Sequence, residues 1–406
     1  MRRGRIALII VALLALLLAT LFAVGPGIAE RSMNQTLSAP LPPVSERAKQ
    51  LHASLTIVDL HSDTLLWQRS FNDRAKRGHV DLPRLQDGHV ALQILSSVTK
   101  TPAGQNYDAN GADSDNIRWL AIAQLQPMRT WGSLLQRSLW HAEKLDRAIS
   151  AADGRLLGVT DPASLDALLA GRSAATAASQ PPVGALLSIE GLQNLEGDIQ
   201  NLDRLYQAGF RMAGLTHFFD NELAGSMHGL KKGGLTPFGR RVVSRMEALG
   251  MIVDIAHLSP AGVTDVLAMA RRPVVSSHGG VQATCAVNRN LSDDQIRQLA
   301  ATGGLIGIGY WDGAVCDPSP ASIAKAMRHV RDLVGIRHLA LGSDYDGAVT
   351  VAFDTSNLIQ ITQALIDIGF TDDEIRAAMG GNALRVLSAG LMPLTPPPPA
   401  DGPENS

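Results

Sequence analysis

The sequence predicts a (β/α)8 barrel with a helical insertion between its second and third strands. Three features carry that expectation. Eight short apolar or β-branched runs recur along the chain, amphipathic stretches of helical period separate the later ones, and six of the runs end in a histidine or a carboxylate. The runs are Thr56–Leu60, Val90–Val98, Val183–Ile189, Arg211–Thr216, Ile252–Ala256, Pro273–Ser277, Leu305–Tyr310 and Leu339–Gly342. Strand-like runs alternating with helix-like ones favour parallel βαβ units, and a count of eight favours closure into a barrel. A doubly wound open sheet is the rival, but no G-x-G-x-x-G phosphate loop follows the first run.

In chain order, residues 1–30 stand apart. Arg2, Arg3 and Arg5 precede an uninterrupted apolar run from Ile6 to Val24, long enough to span a hydrocarbon core at ~1.5 Å rise per residue. A cleaved signal peptide has a shorter apolar core, and Gly27-Ile28-Ala29 is a weak cleavage site. An uncleaved anchor is therefore slightly favoured over a signal peptide. Either way the arginines stay in the cytoplasm and the rest of the chain is exported, to the periplasmic side of the inner membrane or beyond. A polar linker near Asn34–Pro43 leads into the barrel, expected over residues 44–390. Residues 99–182 are too many for one crossover and predict a helical stretch at Asn116–Ser150 and a mobile Ala/Ser-rich segment at Ser173–Gln180. Later helices are expected at Leu202–Ala208, Pro237–Leu249, Pro260–Ala270, Asp293–Ala301, Ser322–Val334, Leu358–Ile368 and Asp372–Leu387, the last capped by Thr371. The proline-rich tail, residues 391–406, is expected to be disordered.

Composition excludes some function classes. Thirty-six basic residues against 38 acidic ones give a net charge of -2, so no global basic field invites nucleic acid. Aromatic residues make up only 4% of the chain, too few for base-stacking platforms. Cys285 and Cys316 are the only cysteines; in a reducing compartment they would stay free, and in an exported chain they could pair.

The chemistry lies where the runs end. The first ends in His61-Ser62-Asp63, the third in Glu190, the fourth in His217, the fifth in His257, the sixth in His278 and the eighth in Asp344. Active sites of (β/α)8 barrels are built at the C-terminal ends of several strands. Singly, a histidine closing a strand is more often a hydrogen-bonded rim residue, and Glu190 would serve as a helix cap. Jointly, six such residues on one rim are hard to ascribe to packing, because buried histidines and carboxylates are costly unless paired or metal-bound. They are natural zinc ligands, and one carboxylate between two metal positions can bridge two ions. His52, His79, His89, His141, His228, His329 and His338 lie off the strand ends and are expected in surface or packing roles, His228 being the least settled of them.

The stretches Asp59-Leu60-His61-Ser62-Asp63-Thr64, Ser188-Ile189-Glu190-Gly191, Leu215-Thr216-His217, Leu235-Thr236-Pro237-Phe238-Gly239, Asp254-Ile255-Ala256-His257-Leu258-Ser259, Ser276-Ser277-His278 and Gly342-Ser343-Asp344-Tyr345-Asp346-Gly347 resemble those of the membrane (renal) dipeptidase family of zinc metallopeptidases. The resemblance runs in order from about Leu55 to Leu387. It implies zinc-dependent hydrolysis of dipeptides by a metal-bridging hydroxide. His61 and Asp63 would hold one zinc, His257 and His278 the other, and Glu190 would bridge the two. His217 would stabilise the oxyanion and Asp344 would shuttle the proton. Arg289 would bind the substrate's terminal carboxylate, and Cys285 and Cys316 would form a disulfide. Implied partners are small dipeptides and, through the N-terminal segment, the membrane; a homodimer stays open. The loop Phe218-Phe219-Asp220-Asn221-Glu222-Leu223 is closer to bacterial members than animal ones, and the insertion at 99–182 has no clear counterpart. Two other readings stand beside this one. Another barrel amidohydrolase would show His-x-His after its first strand, where this chain has His61-Ser62-Asp63. A tethered binding protein without catalysis would have lost ligands that are all present here.

Overall fold

The computed structural model describes residues 2–176 and 180–392. Eight parallel strands form the barrel: β1 (Ile57–Ser62), β2 (Val90–Val98), β3 (Val183–Glu190), β4 (Phe210–Gly214), β5 (Ile252–Asp254), β6 (Val275–Ser276), β7 (Leu305–Ile308) and β8 (Leu339–Leu341). The longest pairing runs from Leu92 opposite Gly184 to Val98 opposite Glu190. Leu341 of β8 pairs with Asp59 of β1 and closes the ring. One apolar cluster takes at least one residue from every strand, among them Val58, Leu92, Leu186, Met212, Ile252, Val275, Leu305 and Ala340. An apolar cluster to which all eight strands contribute is what the packed, layered interior of such a barrel requires. A second, larger cluster joins the strands to the surrounding helices.

The helices begin where the sequence supplies caps. Thr236, Ser259, Ser292 and Ser319 each accept a backbone N–H at the start of Pro237–Leu249, Pro260–Met269, Asp293–Ala301 and Pro320–Val334. Three of these four place proline in the first turn, where its missing N–H costs nothing. Pro237–Leu249 stops at Gly250, whose φ of 76° is left-handed.

Several elements depart from expectation. The sixth run is extended only at Val275–Ser276, because the chain turns at once toward the site. The C-terminal helix breaks at Gly380, which lies so close to the start of β1 that an added Cβ would meet the Thr56 carbonyl oxygen at 1.9 Å. The insertion is not one long helix: α2 (Asn116–Ala123) and α3 (Leu134–Ala151) are separated at Pro127, which lacks the N–H an unbroken helix needs. A short strand, Leu156–Gly158, then adds beside β3, followed by a helix at Pro162–Ser173. Of the segment expected to be mobile, residues 177–179 lie outside the described residues, as does the tail from 393.

The N-terminal segment is a helix, α1, spanning Arg2–Met33. Among the described residues no helix is long and apolar enough to cross a membrane, so the expected anchor gains no support there. Within this helix the side chains of residues 2–4, 7, 14, 15, 17, 18 and 21 lie outside the described ones. Its C-terminal end joins the barrel: buried Glu30 accepts from Arg69 Nε at 2.6 Å and Arg77 Nε at 2.5 Å, and Gln35–Thr36 pairs with Thr350–Val351.

Candidate active site and metal centre

The structure brings His61, Asp63, Glu190, His217, His257, His278 and Asp344 to the C-terminal rim of the barrel, all buried. His257, Asp344 and the nearby Asp346 have φ of 64°, 58° and 65°, a left-handed conformation that L-residues adopt at a cost. All three lie within five residues of a strand's C-terminal end, His257 after β5 and the other two after β8.

Glu190 lies at the centre. Its Oε1 is 2.7 Å from His257 Nε2, 3.3 Å from His278 Nε2 and 3.3 Å from His217 Nε2. Its Oε2 is 3.6 Å from His61 Nε2, which is itself 3.4 Å from Asp63 Oδ1 and 3.8 Å from Asp344 Oδ1. The carboxylate therefore presents one oxygen to each of two donor sets. The donor atoms of His61, Asp63 and Glu190 lie within 4.8 Å of one another, as do those of Glu190, His217 and His257.

Burial dominates the electrostatics of this cluster. Burial, reinforced by Asp63 and opposed by His61, pushes Glu190 up to about 7. Burial pushes Asp344 well above the usual carboxylate range and His257 and His278 well below the usual imidazole range. His217 is lowered to about 3, by burial first and by His228 second. Both ring nitrogens of His61, Oδ1 of Asp63 and Oε2 of Glu190 are buried with no hydrogen-bond partner among the described residues. Buried lone pairs of this kind cost free energy unless something satisfies them. A cation does so, and the donors are the imidazole nitrogens and carboxylate oxygens that first-row metals take. The residues present fit a metal.

A second ring of carboxylates holds these donors, and sequence reasoning missed its role. Asp254 accepts from the backbone N–H of Ala256 and of Ser277, both at 2.9 Å. Ser277 Oγ donates to Asp254 and lies 2.8 Å from His278 Nδ1. Asp59 accepts the His61 N–H at 3.0 Å and the Ser343 hydroxyl at 3.1 Å, so it links β1 to the turn after β8. The signal was present in Asp59-Leu60-His61 and Asp254-Ile255-Ala256-His257, where an acidic residue occupies an otherwise apolar strand shortly before a histidine.

Arg289 lies in the loop after β6, only 2% exposed. Its Nη2 donates to the His278 carbonyl at 3.0 Å, and the guanidinium carbon lies 5.4 Å from the centre of the Trp311 ring. The carboxylates nearest to it in sequence are engaged elsewhere: Asp293 with His329 at 2.7 Å and Asp294 with Arg297 at 3.1 Å. Among the described residues no carboxylate forms an ion pair with Arg289. Cys285 and Cys316 are bonded, with Cα atoms 5.4 Å apart, which ties the Arg289 loop to the segment after β7.

Of the set-aside histidines, His52, His79 and His141 are buried and hydrogen-bonded to Thr362, Asp346 and Ser97. His228 is buried as well, stacked on Phe218 at 4.7 Å, with its Nδ1 2.9 Å from the Tyr107 carbonyl oxygen. Tyr107 comes from the insertion, and its hydroxyl accepts from Trp311 Nε1 at 2.9 Å. It lines a cavity of about 710 Å³ together with Asp63, Glu190, His217, Arg289 and Asp344.

A closed (β/α)8 barrel with buried imidazoles and carboxylates on its C-terminal rim, opening into one cavity, defines a metal-dependent hydrolase. Residues 45–390 match the model of the membrane dipeptidase family (peptidase family M19), and the chain belongs to that family. It is a metallo-dipeptidase, hydrolysing dipeptides with a metal cofactor. It is 31% identical over 361 residues to the dipeptidase aclJ of Aspergillus oryzae, covering 84% of this chain and 79% of that one. It is 27% identical to the dipeptidase verJ of Clonostachys rogersoniana, covering 84% and 86%. Among solved structures it resembles the probable dipeptidase PvdM of Pseudomonas aeruginosa (TM-score 0.69, 19% identity, covering 85% and 98%). It also resembles a metallo peptidase of Rhodobacter sphaeroides liganded with a phosphinate mimic of L-Ala-D-Ala (TM-score 0.66, 21% identity, covering 83% and 99%).

Proposed function

We propose that the site holds two zinc ions bridged by Glu190 and that its substrates are dipeptides with a free C-terminal carboxylate. The observation that carries this reading is the division of Glu190, whose Oε1 faces His257 and His278 while Oε2 faces His61, next to Asp63. Bound zinc supplies Lewis acidity, which polarises the scissile carbonyl and brings the pKa of water near neutrality.

The chain's own groups do the rest. Arg289, buried and without a carboxylate partner among the described residues, takes the substrate's carboxylate in a planar, charge-assisted pair. His217 donates to the oxygen that gains charge as the carbonyl carbon becomes tetrahedral, a bond worth most at that moment. Asp344 accepts the proton of the attacking water and returns it to the leaving amine, a role that suits a carboxylate lining the cavity 3.8 Å from His61 Nε2.

We further infer that the catalytic domain is exported and tethered by residues 1–30. Support comes from Arg2, Arg3 and Arg5 ahead of the apolar run, and from the exposure of Ile6, Leu8, Ile9, Ile10, Val11, Leu13 and Leu16.

Metal analysis tests the core of the proposal. The expected content is two zinc ions per chain, both lost in Glu190→Ala together with activity. One zinc in the fully active enzyme, or two retained by Glu190→Ala, refutes the bridge.

A further inference from the structure

The cavity has an apolar outer part that the chemistry above does not use. Leu66, Val98, Ile117 and Leu120 line it, and Ala29 and Met33 of the N-terminal helix complete its rim. Leu66 ends the short turn after Asp63, Val98 ends β2, Ile117 and Leu120 are one turn apart on α2, and Ala29 and Met33 are one turn apart on their helix. Four elements far apart in sequence thus each bring apolar side chains to one wall. Leu66, Val98 and Ile117 form a single packed cluster with Trp67, so the wall is rigid.

The N-terminal helix is pinned at this rim. Glu30, 1% exposed, lies between Arg69 and Arg77, and Arg69 also pairs with the fully buried Asp346, two residues beyond Asp344. Asp346 is held further by Thr64 Oγ1 at 2.8 Å and by the His79 N–H at 2.6 Å. A buried carboxylate between two guanidinium groups is strongly destabilised when a partner is lost. The position of Ala29 and Met33 is therefore set by the same network that holds the Asp344 loop.

We propose that this vestibule is the subsite for the side chain of the substrate's amino-terminal residue, and that it selects large apolar side chains. The inference rests on the dipeptidase reading above, with Arg289 holding the carboxylate. Arg289 follows β6, whereas Val98 ends β2 and Leu66 follows β1. In a ring of eight, β2 and β6 are four strands apart in both directions, which places them on opposite sides of the rim. A dipeptide anchored at Arg289 and crossing the metal ligands directs its amino-terminal residue to the β1–β2 side.

The test compares Gly-Ala, Leu-Ala and Phe-Ala with Ala-Gly, Ala-Leu and Ala-Phe, using the full-length, zinc-loaded enzyme. The expected kcat/KM for Leu-Ala and Phe-Ala exceeds that for Gly-Ala by about ten-fold or more, the scale of discrimination apolar pockets achieve. The reverse series should show a smaller spread. Met33→Asp and Ile117→Asp should shrink the first preference, and Glu30→Gln should shrink it too by releasing the helix. If Ile117→Asp fails to fold, Met33→Asp decides, because Met33 is half exposed and tolerates a charge. Equal rates across the first series, or a preference that survives in folded Met33→Asp, would overturn the inference while leaving the dipeptidase reading intact. Hydrolysis of none of the six would bring down both.

Discussion

Arg289 offers the sharpest test of how substrate length is measured. It is buried, and among the described residues it lacks an ion pair and its side chain makes one hydrogen bond, to the His278 carbonyl, which leaves most of its five donors unused. Burial lowers its pKa, opposed by Asp344 first and Tyr107 second, yet a guanidinium stays charged at neutral pH. Such a cation is costly to keep unpaired, and a substrate carboxylate would relieve that cost on binding. Arg289→Met keeps much of the side chain's length and its contact with Trp311 while removing the charge. Losing a charge-assisted hydrogen bond costs about 1.5–3 kcal/mol, or roughly ten- to a hundred-fold in kcat/KM. The assay compares a dipeptide with its C-terminal amide. Wild type should prefer the free acid by that factor, and Arg289→Met should lose the preference with zinc content unchanged. Equal cleavage of acid and amide by wild type would refute the reasoning, because nothing would then be reading the carboxylate.

Two further outcomes follow from the site's geometry. Asp344→Asn should lower kcat by ~10²–10⁴ while zinc content is retained, since an amide cannot relay the proton; parallel loss of metal and rate would make Asp344 a ligand instead. Asp254→Ala removes the acceptor that orients Ser277 and the backbone before His257, and should weaken metal affinity by about ten- to a hundred-fold. Unchanged affinity in a zinc titration would show that Ser277 positions His278 unaided.

The barrel was legible because its strands are buried on both faces. Val90–Val98 is buried throughout, so it reads as a mostly apolar run of strand length, and its predicted limits coincide with β2. Helices were legible where caps mark their start: Pro237–Leu249 and Asp293–Ala301 were predicted to the residue, behind Thr236 and Ser292. What failed depended on contacts distant in sequence. Nothing near Gly380 announces that it must lie against the Thr56 carbonyl, and Leu156–Gly158 is a strand only because Val183–Ala185 is beside it. The N-terminal helix runs through Pro26 to Met33, and its last turns are fixed by Glu30 between Arg69 and Arg77, a contact that local pattern does not reveal.

The site followed a different logic. Its donors stand out in sequence because histidines and carboxylates at strand ends break an apolar pattern, and the structure gathers all seven at one rim. Asp59 and Asp254 break the same pattern, but they sit inside the runs and not at their ends. Their position makes them legible as buried charges without saying what they hold. The structure shows that Asp59 joins β1 to the turn after β8, while Asp254 joins β5 to β6. Each therefore fixes a histidine donor on one strand relative to a neighbouring strand, which a barrel must do if donors from separate strands are to converge on shared ions. An acidic residue within a barrel strand, a few positions before a histidine, is best read as the support of that histidine.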